Sequence, residues 1–125
     1  MADKTLERLV PPLDLCKKIP EGAFADSALV YGNPMGWSPC LYPQLVTRDE
    51  CSSPSLVIAP APTYEEIMNA IRKLKCERLI CSMQPAGWSV ACWLNGECHI
   101  EIDRRTVLAA LKVWFELKGI KYDAR

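Results

Sequence analysis

The chain has 125 residues, and its 15 lysines and arginines are balanced by 15 aspartates and glutamates. Half of the residues are apolar and 24% are charged, proportions that exclude intrinsic disorder, collagen-like sequence and a coiled coil for the whole chain. The zero net charge also argues against nonspecific binding to nucleic acid or to anionic membranes, because both kinds of binding normally need an excess of lysine and arginine. We expect a single domain over residues 1–125, with a partly irregular segment over residues 1–20.

The first half of the chain is rich in proline and is predicted to form loops and short strands. Pro11 and Pro12 prevent a long N-terminal helix and leave one or two turns around residues 13–18. Strand patterns follow at residues 28–31, 37–45 and 56–59. An Asn-Pro-Met-Gly segment at residues 33–36 predicts a hairpin between the first two strands.

The second half is predicted to contain two helices separated by three antiparallel strands. Residues 63–66 form a capping box, so a helix begins there. A second helix is predicted over residues 105–118, with Gly119 as its C-terminal stop. The strands are predicted at residues 78–83, 88–94 and 97–103. Asn95-Gly96 predicts a two-residue type I′ turn, because both central positions of that turn need positive φ.

These elements predict an α+β fold, with an antiparallel sheet of about five or six strands and two helices packed on one face. A Gly-Trp-Ser triplet occurs at residues 36–38 and again at residues 87–89. Its recurrence indicates a weak repeat, in which each half is an antiparallel meander closed by one helix. A chance match of the triplet is the alternative.

The turn at residues 95–96 sets the register of the last two strands and divides them into two faces. Cys92 is paired with His99 in this register. One face is expected to pack on the helices, and it carries Ser89, Ala91, Trp93, Cys98, Ile100 and Ile102. The other face sets an apolar strand beside a strand with three carboxylates and the only histidine. We expect a partner to cover part of this mixed face.

The mixed face predicts a non-enzymatic interaction module, either a homodimer or an adaptor for another protein. The predicted binding surface comprises Trp37, Trp88, Val90, Leu94, Glu97, His99 and Glu101. The chain lacks a Gly-rich phosphate loop, a nucleophile elbow, an H-E-x-x-H sequence and a kinase-type motif set, which argues against an enzyme. No cofactor is expected.

The alternative hypothesis is a small thiol- or metal-dependent enzyme built on Cys92 and His99. Opposed side chains on paired strands have Cβ atoms about 5 Å apart, and an imidazolium that close lowers the pKa of a thiol into a reactive range. Glu97, His99 and Glu101 also alternate along one strand and provide metal-ligand types. We predict no metal site, since such residues reach one ion only with favourable rotamers.

Four residues could together provide the ligands of a zinc ion if the fold brought them together, namely Cys76, Cys81, Cys98 and His99. The chain has no C-x-x-C pair, the spacing typical of zinc sites, and most cysteines are expected to be small buried apolar residues.

A group of basic residues provides a hypothesis of nucleic-acid binding. Its members are Arg72, Lys73, Lys75 and Arg78. This basic run falls at the end of a predicted helix, where it complements the helix dipole. We therefore expect no nucleic-acid partner.

The start of the chain and its cysteines predict the location. Residues 1–12 carry scattered charges and no continuous apolar stretch, so no secretory signal peptide is expected. Seven cysteines at irregular spacings indicate reduced thiols. The uncharged residues 79–96 include polar and turn-forming positions and are not expected to span a membrane. We predict a cytoplasmic protein.

Three segments resemble short uncharacterised proteins of phage or prophage origin in gut bacteria. They are IPEGAFADSALV at residues 19–30, APAPT at residues 59–63 and AALKVWFELKG at residues 109–119. The resemblance covers most of the chain after about Cys16. It implies a small intracellular protein of a bacterium or phage and assigns no catalytic residue, because that group has no established activity. The cysteines are not part of its pattern.

Overall fold

Residues 8–32, 44–51 and 56–122 are described by the structure, a computed structural model of the chain. The chain divides into two compact units, Met1–Thr63 and Tyr64–Arg125. Each unit combines helix with antiparallel sheet, which confirms the α+β class.

The first unit is built on a three-stranded antiparallel sheet. Its elements are α1 (Leu13–Cys16), β1 (Leu29–Gly32), β2 (Gln44–Thr47), a 3-10 helix (Arg48–Glu50) and β3 (Val57–Ala61). Strand β1 is central and pairs with β2 on one side and with β3 on the other. All residues of β1 are buried, and the Tyr31 hydroxyl donates a 2.8 Å hydrogen bond to the Pro11 carbonyl. This bond ties the N-terminal segment to the central strand.

The pairing in the first unit differs from the predicted meander. In a meander each strand pairs with the next one along the chain, so β3 would pair with β2. Strand β3 instead pairs with β1. The six described strands therefore form two three-stranded sheets rather than one sheet of five or six. Pairing between distant segments depends on non-local packing, which alternation along one strand does not report. The predicted hairpin at residues 33–36 and most of the predicted strand at residues 37–45 lie outside the described residues.

The second unit is an antiparallel meander with two helices. Its elements are α2 (Tyr64–Lys73), β4 (Arg78–Gln84), β5 (Gly87–Leu94), β6 (Glu97–Asp103) and α3 (Thr106–Lys118). The strand order is β4-β5-β6. Asn95 and Gly96 have φ angles of 54° and 81°, the positive values that the predicted turn requires. The predicted bounds of the three strands and of α3, and the predicted start of α2, agree with the structure to within one residue.

Helix α3 ends as predicted, because Gly119 adopts a φ of 70°. The Gly119 N–H donates to the Glu116 carbonyl and the Ile120 N–H donates to the Phe115 carbonyl, which closes the last turn. Helix α3 packs against α2, β5 and β6. The buried core of the unit includes Ile67, Ile71, Val90, Cys92, Leu111, Trp114 and Phe115.

Candidate functional site

The predicted register of the β5–β6 hairpin is confirmed along its length. Cys92 lies opposite His99, and Val90 lies opposite Glu101. Because side chains alternate along a strand, these residues share one face of the sheet. The sequence therefore predicted which residues project together.

That shared face packs against helix α3, which is the reverse of the prediction. His99 Nδ1 lies 3.5 Å from Glu116 Oε1, and Lys112 Nζ lies 3.0 Å from Asp103 Oδ2. Val90 is fully buried. The prediction was wrong because it took the polar residues of β6 to mark the side away from the helices. Helix α3 instead presents the polar side chains of Lys112 and Glu116 as partners for them.

An imidazole, a phenol and several carboxylates meet between β6 and the end of α3. His99 Nε2 lies 3.6 Å from Glu97 Oε2, and the Tyr122 hydroxyl donates to Glu116 Oε2 at 3.4 Å. Burial raises the pKa of the Glu116 carboxyl from its ordinary 4.5 to about 7, and a hydrogen bond with Glu101 adds to the increase. We call these five residues the acid–imidazole cluster.

The acid–imidazole cluster can take up or release a proton near neutral pH, because one of its carboxyls has a pKa in that range. The side chains of His99 and Glu116 are 21% and 29% exposed, so solvent reaches both. Burial also raises the pKa of the Tyr122 hydroxyl, which keeps the phenol protonated as a donor. Within residues 8–32, 44–51 and 56–122, no group of three or more His, Cys, Asp or Glu residues could hold a metal ion.

The Cys92 thiol has an environment opposite to that of a nucleophile. Its residue is fully buried, and burial together with a hydrogen bond to Cys76 raises the pKa of the thiol from 9.0 to about 12. Both ring nitrogens of His99 lie close to carboxylate oxygens, at 3.6 Å from Glu97 and 3.5 Å from Glu116. A thiol in this setting stays protonated at neutral pH and is a poor nucleophile.

The residues of the zinc candidate project in different directions. Cys98 and His99 are neighbours on β6, so their side chains point to opposite faces of the sheet. Cys76 is hydrogen-bonded to Cys92, and Cys81 is hydrogen-bonded to Tyr64. The strands and helices therefore do not bring the four candidate ligands to one point.

The predicted binding surface does not form one exposed patch. Trp37 lies outside the described residues, and Val90 is buried beneath α3. The half-buried members are Trp88, Leu94, His99 and Glu101. Glu97 is well exposed, with 78% of its side chain accessible.

The opposite face of the same sheet carries the residues that the sequence placed in the core. They form three cross-strand rows: Arg78–Trp93–Cys98, Ile80–Ala91–Ile100 and Ser82–Ser89–Ile102. Ile100 and Ile102 of β6 are 52% and 48% exposed, whereas Ser89 and Ala91 of the central strand are buried. The Arg78 guanidinium carbon lies 5.4 Å from the centroid of the Trp93 ring, a cation–π contact. We call these three rows the open sheet face.

The basic run is accounted for by local contacts. Arg72 and Lys73 occupy the last turn of α2, where cations complement the helix dipole. Arg72 Nη1 donates to Asn69 Oδ1 at 2.8 Å, and Arg78 covers Trp93.

The described part of the chain contains no helix with both the length and the apolar character needed to cross a bilayer.

Comparison with known proteins gave no match to a family model, to a curated protein or to a solved structure. The functional proposal for this chain therefore rests on the geometry of its own residues.

Proposed function

We propose that the protein is a non-enzymatic interaction module that forms a homodimer through the open sheet face. The observation that supports this proposal is the exposure of Ile100 and Ile102, about half of each residue, beside other apolar side chains on one side of β4-β5-β6. Contiguous apolar surface that remains exposed on a folded protein marks an interaction site. Burying it gains about 25 cal/mol for each Å² removed from water.

The charge of the open sheet face favours a second copy of the chain as the occupant. Arg78 is its single charged residue, and the Arg78 guanidinium lies over Trp93. A twofold axis in the plane of the interface, perpendicular to the strands and through the row of Ala91, sets Ile100 of one copy against Ile100 of the other. The same axis places the two Arg78 side chains at opposite ends of the interface. Two copies therefore stack the apolar row Ile80–Ala91–Ile100 on its own copy without opposing like charges.

The size of the open sheet face indicates weak association. Three strands about 4.8 Å apart and five positions about 3.3 Å apart span roughly 14 by 17 Å. This projected area of about 240 Å² is well below the about 800 Å² that each partner contributes to a standard interface. The dimer is expected to dissociate on dilution.

Analytical ultracentrifugation of the full chain over a range of concentrations tests the proposal. We expect a reversible monomer–dimer equilibrium that shifts towards the dimer as the protein concentration approaches about 1 mM. Ile100→Arg places a charge in the central row and is expected to leave only monomer. Met83→Arg is the matched control, because Met83 is 69% exposed but belongs to the face shared by Val90 and His99.

A wild-type protein that stays monomeric at about 1 mM contradicts self-association. Equal dimerisation of the two arginine variants contradicts the assignment of the interface. Circular dichroism spectra of both variants establish that each remains folded.

The proposal also includes the location and the origin of the protein. Seven cysteines at irregular spacings suit the reducing cytoplasm. The phage or prophage origin rests on the resemblance of residues 19–30, 59–63 and 109–119 to such proteins. Nucleic acid is not included as a partner, because the chain has no net charge.

A further inference from the structure

A groove with a volume of about 430 Å³ lies within the first unit. One wall is formed by the end of α1 and the turn that follows it, and the other by strand β3. This volume lies within the range of about 300–1,000 Å³ found for small-molecule sites. The groove is therefore large enough to hold a small organic molecule.

The walls of the groove combine apolar and polar surface in nearly equal amounts. The residues that provide the apolar part include Ile19, Pro20, Val57, Ile58 and Pro60. Ile58 is 44% exposed, which leaves apolar surface for a ligand to cover. Strand β3 is an edge strand, and Pro60 has no N–H to donate to an added strand. The groove therefore suits a compact apolar group better than an extended peptide.

Arg48 is held rigidly at the groove by the turn beside it. Its Nε donates to the Ser27 carbonyl at 3.0 Å, and its Nη2 donates to Ser27 Oγ at 3.0 Å and to the Phe24 carbonyl at 3.4 Å. Ser27 is itself buried, and its hydroxyl donates to the Leu29 carbonyl at 2.9 Å. Among the described residues, these bonds occupy Nε and Nη2 and leave Nη1 as the guanidinium nitrogen that can bind an anion. A side chain fixed in advance loses little freedom when a ligand binds.

The charges along the groove favour an anion. Lys17 and Arg48 contribute two positive charges, and Glu21 contributes one negative charge. We propose that the groove binds a small amphiphilic monoanion, a carboxylate with an apolar tail. The carboxylate pairs with Arg48 and Lys17, and the tail covers Ile58 and the other apolar side chains of the walls.

Titration of the isotope-labelled full chain with sodium octanoate, followed by amide NMR, tests this site. We expect saturable shifts at the amides of groove residues, including Ala23, Ala25 and Ala59. Octanol and octylammonium have the same tail without the carboxylate and are expected to bind at least about tenfold more weakly, the loss expected for one charge-assisted hydrogen bond. Equal affinity for octanoate and octylammonium overturns the proposal. Octanoate shifts confined to the open sheet face also overturn it.

Charge-reversal variants give a second measurement. Lys17→Glu is expected to weaken octanoate binding about tenfold or more, because it removes one positive charge from the groove and adds a negative one. Lys18→Glu makes the same change in charge at the next position, which does not line the groove, and is expected to have a clearly smaller effect. Equal losses in the two variants contradict direct pairing with Lys17. Arg48→Lys keeps the charge and is expected to weaken binding, since it replaces the planar guanidinium.

Discussion

His99 on β6 faces Glu116 on α3, with Nδ1 of the imidazole 3.5 Å from Oε1 of the carboxyl. This pair shows on which side of the sheet the helix lies. It also joins the only histidine of the chain to a carboxyl whose pKa is raised to about 7. The stability of the second unit is therefore expected to depend on pH.

The pH dependence follows from the proton that folded Glu116 retains. Burial, and then hydrogen bonding with Glu101, raises the pKa of this carboxyl from 4.5 to about 7, so between these values the folded chain holds a proton that the unfolded chain releases. The stabilisation is complete below about pH 4.5 and is lost as the pH rises through about 7. Urea unfolding is expected to show a decrease of about 1–3 kcal/mol from pH 5 to pH 8.

Variants separate Glu116 from the groups around it, namely Glu97, His99, Glu101 and Tyr122. Glu116→Gln keeps the side chain's size, cannot ionise and is expected to remove most of the decrease. Glu97→Gln is the control, because the Glu97 side chain is 78% exposed, and it is expected to preserve the decrease. An unchanged pH profile in Glu116→Gln contradicts the assignment.

The position of α3 can be tested by placing charge on either face of the sheet. Val90 is fully buried and Ile100 is 52% exposed. Val90→Asp puts an unpaired carboxylate in the core and is expected to unfold the second unit. Ile100→Asp is expected to change the free energy of unfolding by less than about 1 kcal/mol. Circular dichroism and thermal unfolding measure both, and the reverse order of stability would restore the face assignment made from the sequence.

Asp103 has two separable interactions. Its Oδ2 pairs with Lys112 Nζ at 3.0 Å, and its Oδ1 accepts a hydrogen bond from the Arg105 N–H at 3.1 Å. Asp103→Asn keeps an acceptor for Arg105 and loses the ion pair, whereas Asp103→Ala loses both. We expect Ala to destabilise more than Asn by about 1 kcal/mol, measured by urea unfolding. Equal stability of the two variants indicates that the bond to Arg105 contributes nothing.

Gly87 and Gly96 both have positive φ but differ in the space around them. A Cβ added at Gly87, where φ is 141°, would lie 2.6 Å from the Asp103 carbonyl oxygen, whereas at Gly96 it would meet no atom within 4 Å. Gly87→Ala is expected to cost about 2–4 kcal/mol, because backbone must move. Gly96→Ala is expected to cost about 1 kcal/mol for the left-handed backbone alone. Thermal unfolding of both variants measures the difference.

Alkylation tests the thiol alternative. Burial raises the pKa of the Cys92 thiol to about 12, whereas Cys98 is exposed. Since the thiolate is the reactive form, we expect iodoacetamide at neutral pH to modify Cys98 at least about a hundredfold faster than Cys92, as read by mass spectrometry. The difference is expected to vanish in concentrated urea. Rapid modification of Cys92 in the folded protein would revive the enzyme hypothesis.

Local chemistry made several elements predictable from the sequence. The Asn95-Gly96 turn determines the register that pairs Cys92 with His99, because few residue pairs accept positive φ at two successive positions. Gly119 likewise ends α3 at its predicted position. Each of these features depends on residues close together in the chain.

Alternation along β5 and β6 determined which side chains share a face, but it contained no information on which face the helix covers. Only the tertiary structure decided this, by placing Lys112 and Glu116 of α3 against Asp103 and His99. The pairing of β3 with β1 was decided in the same way. The physical reason is that local backbone preferences act within a few residues, whereas the choice between the two sides of a sheet depends on the fit of distant segments.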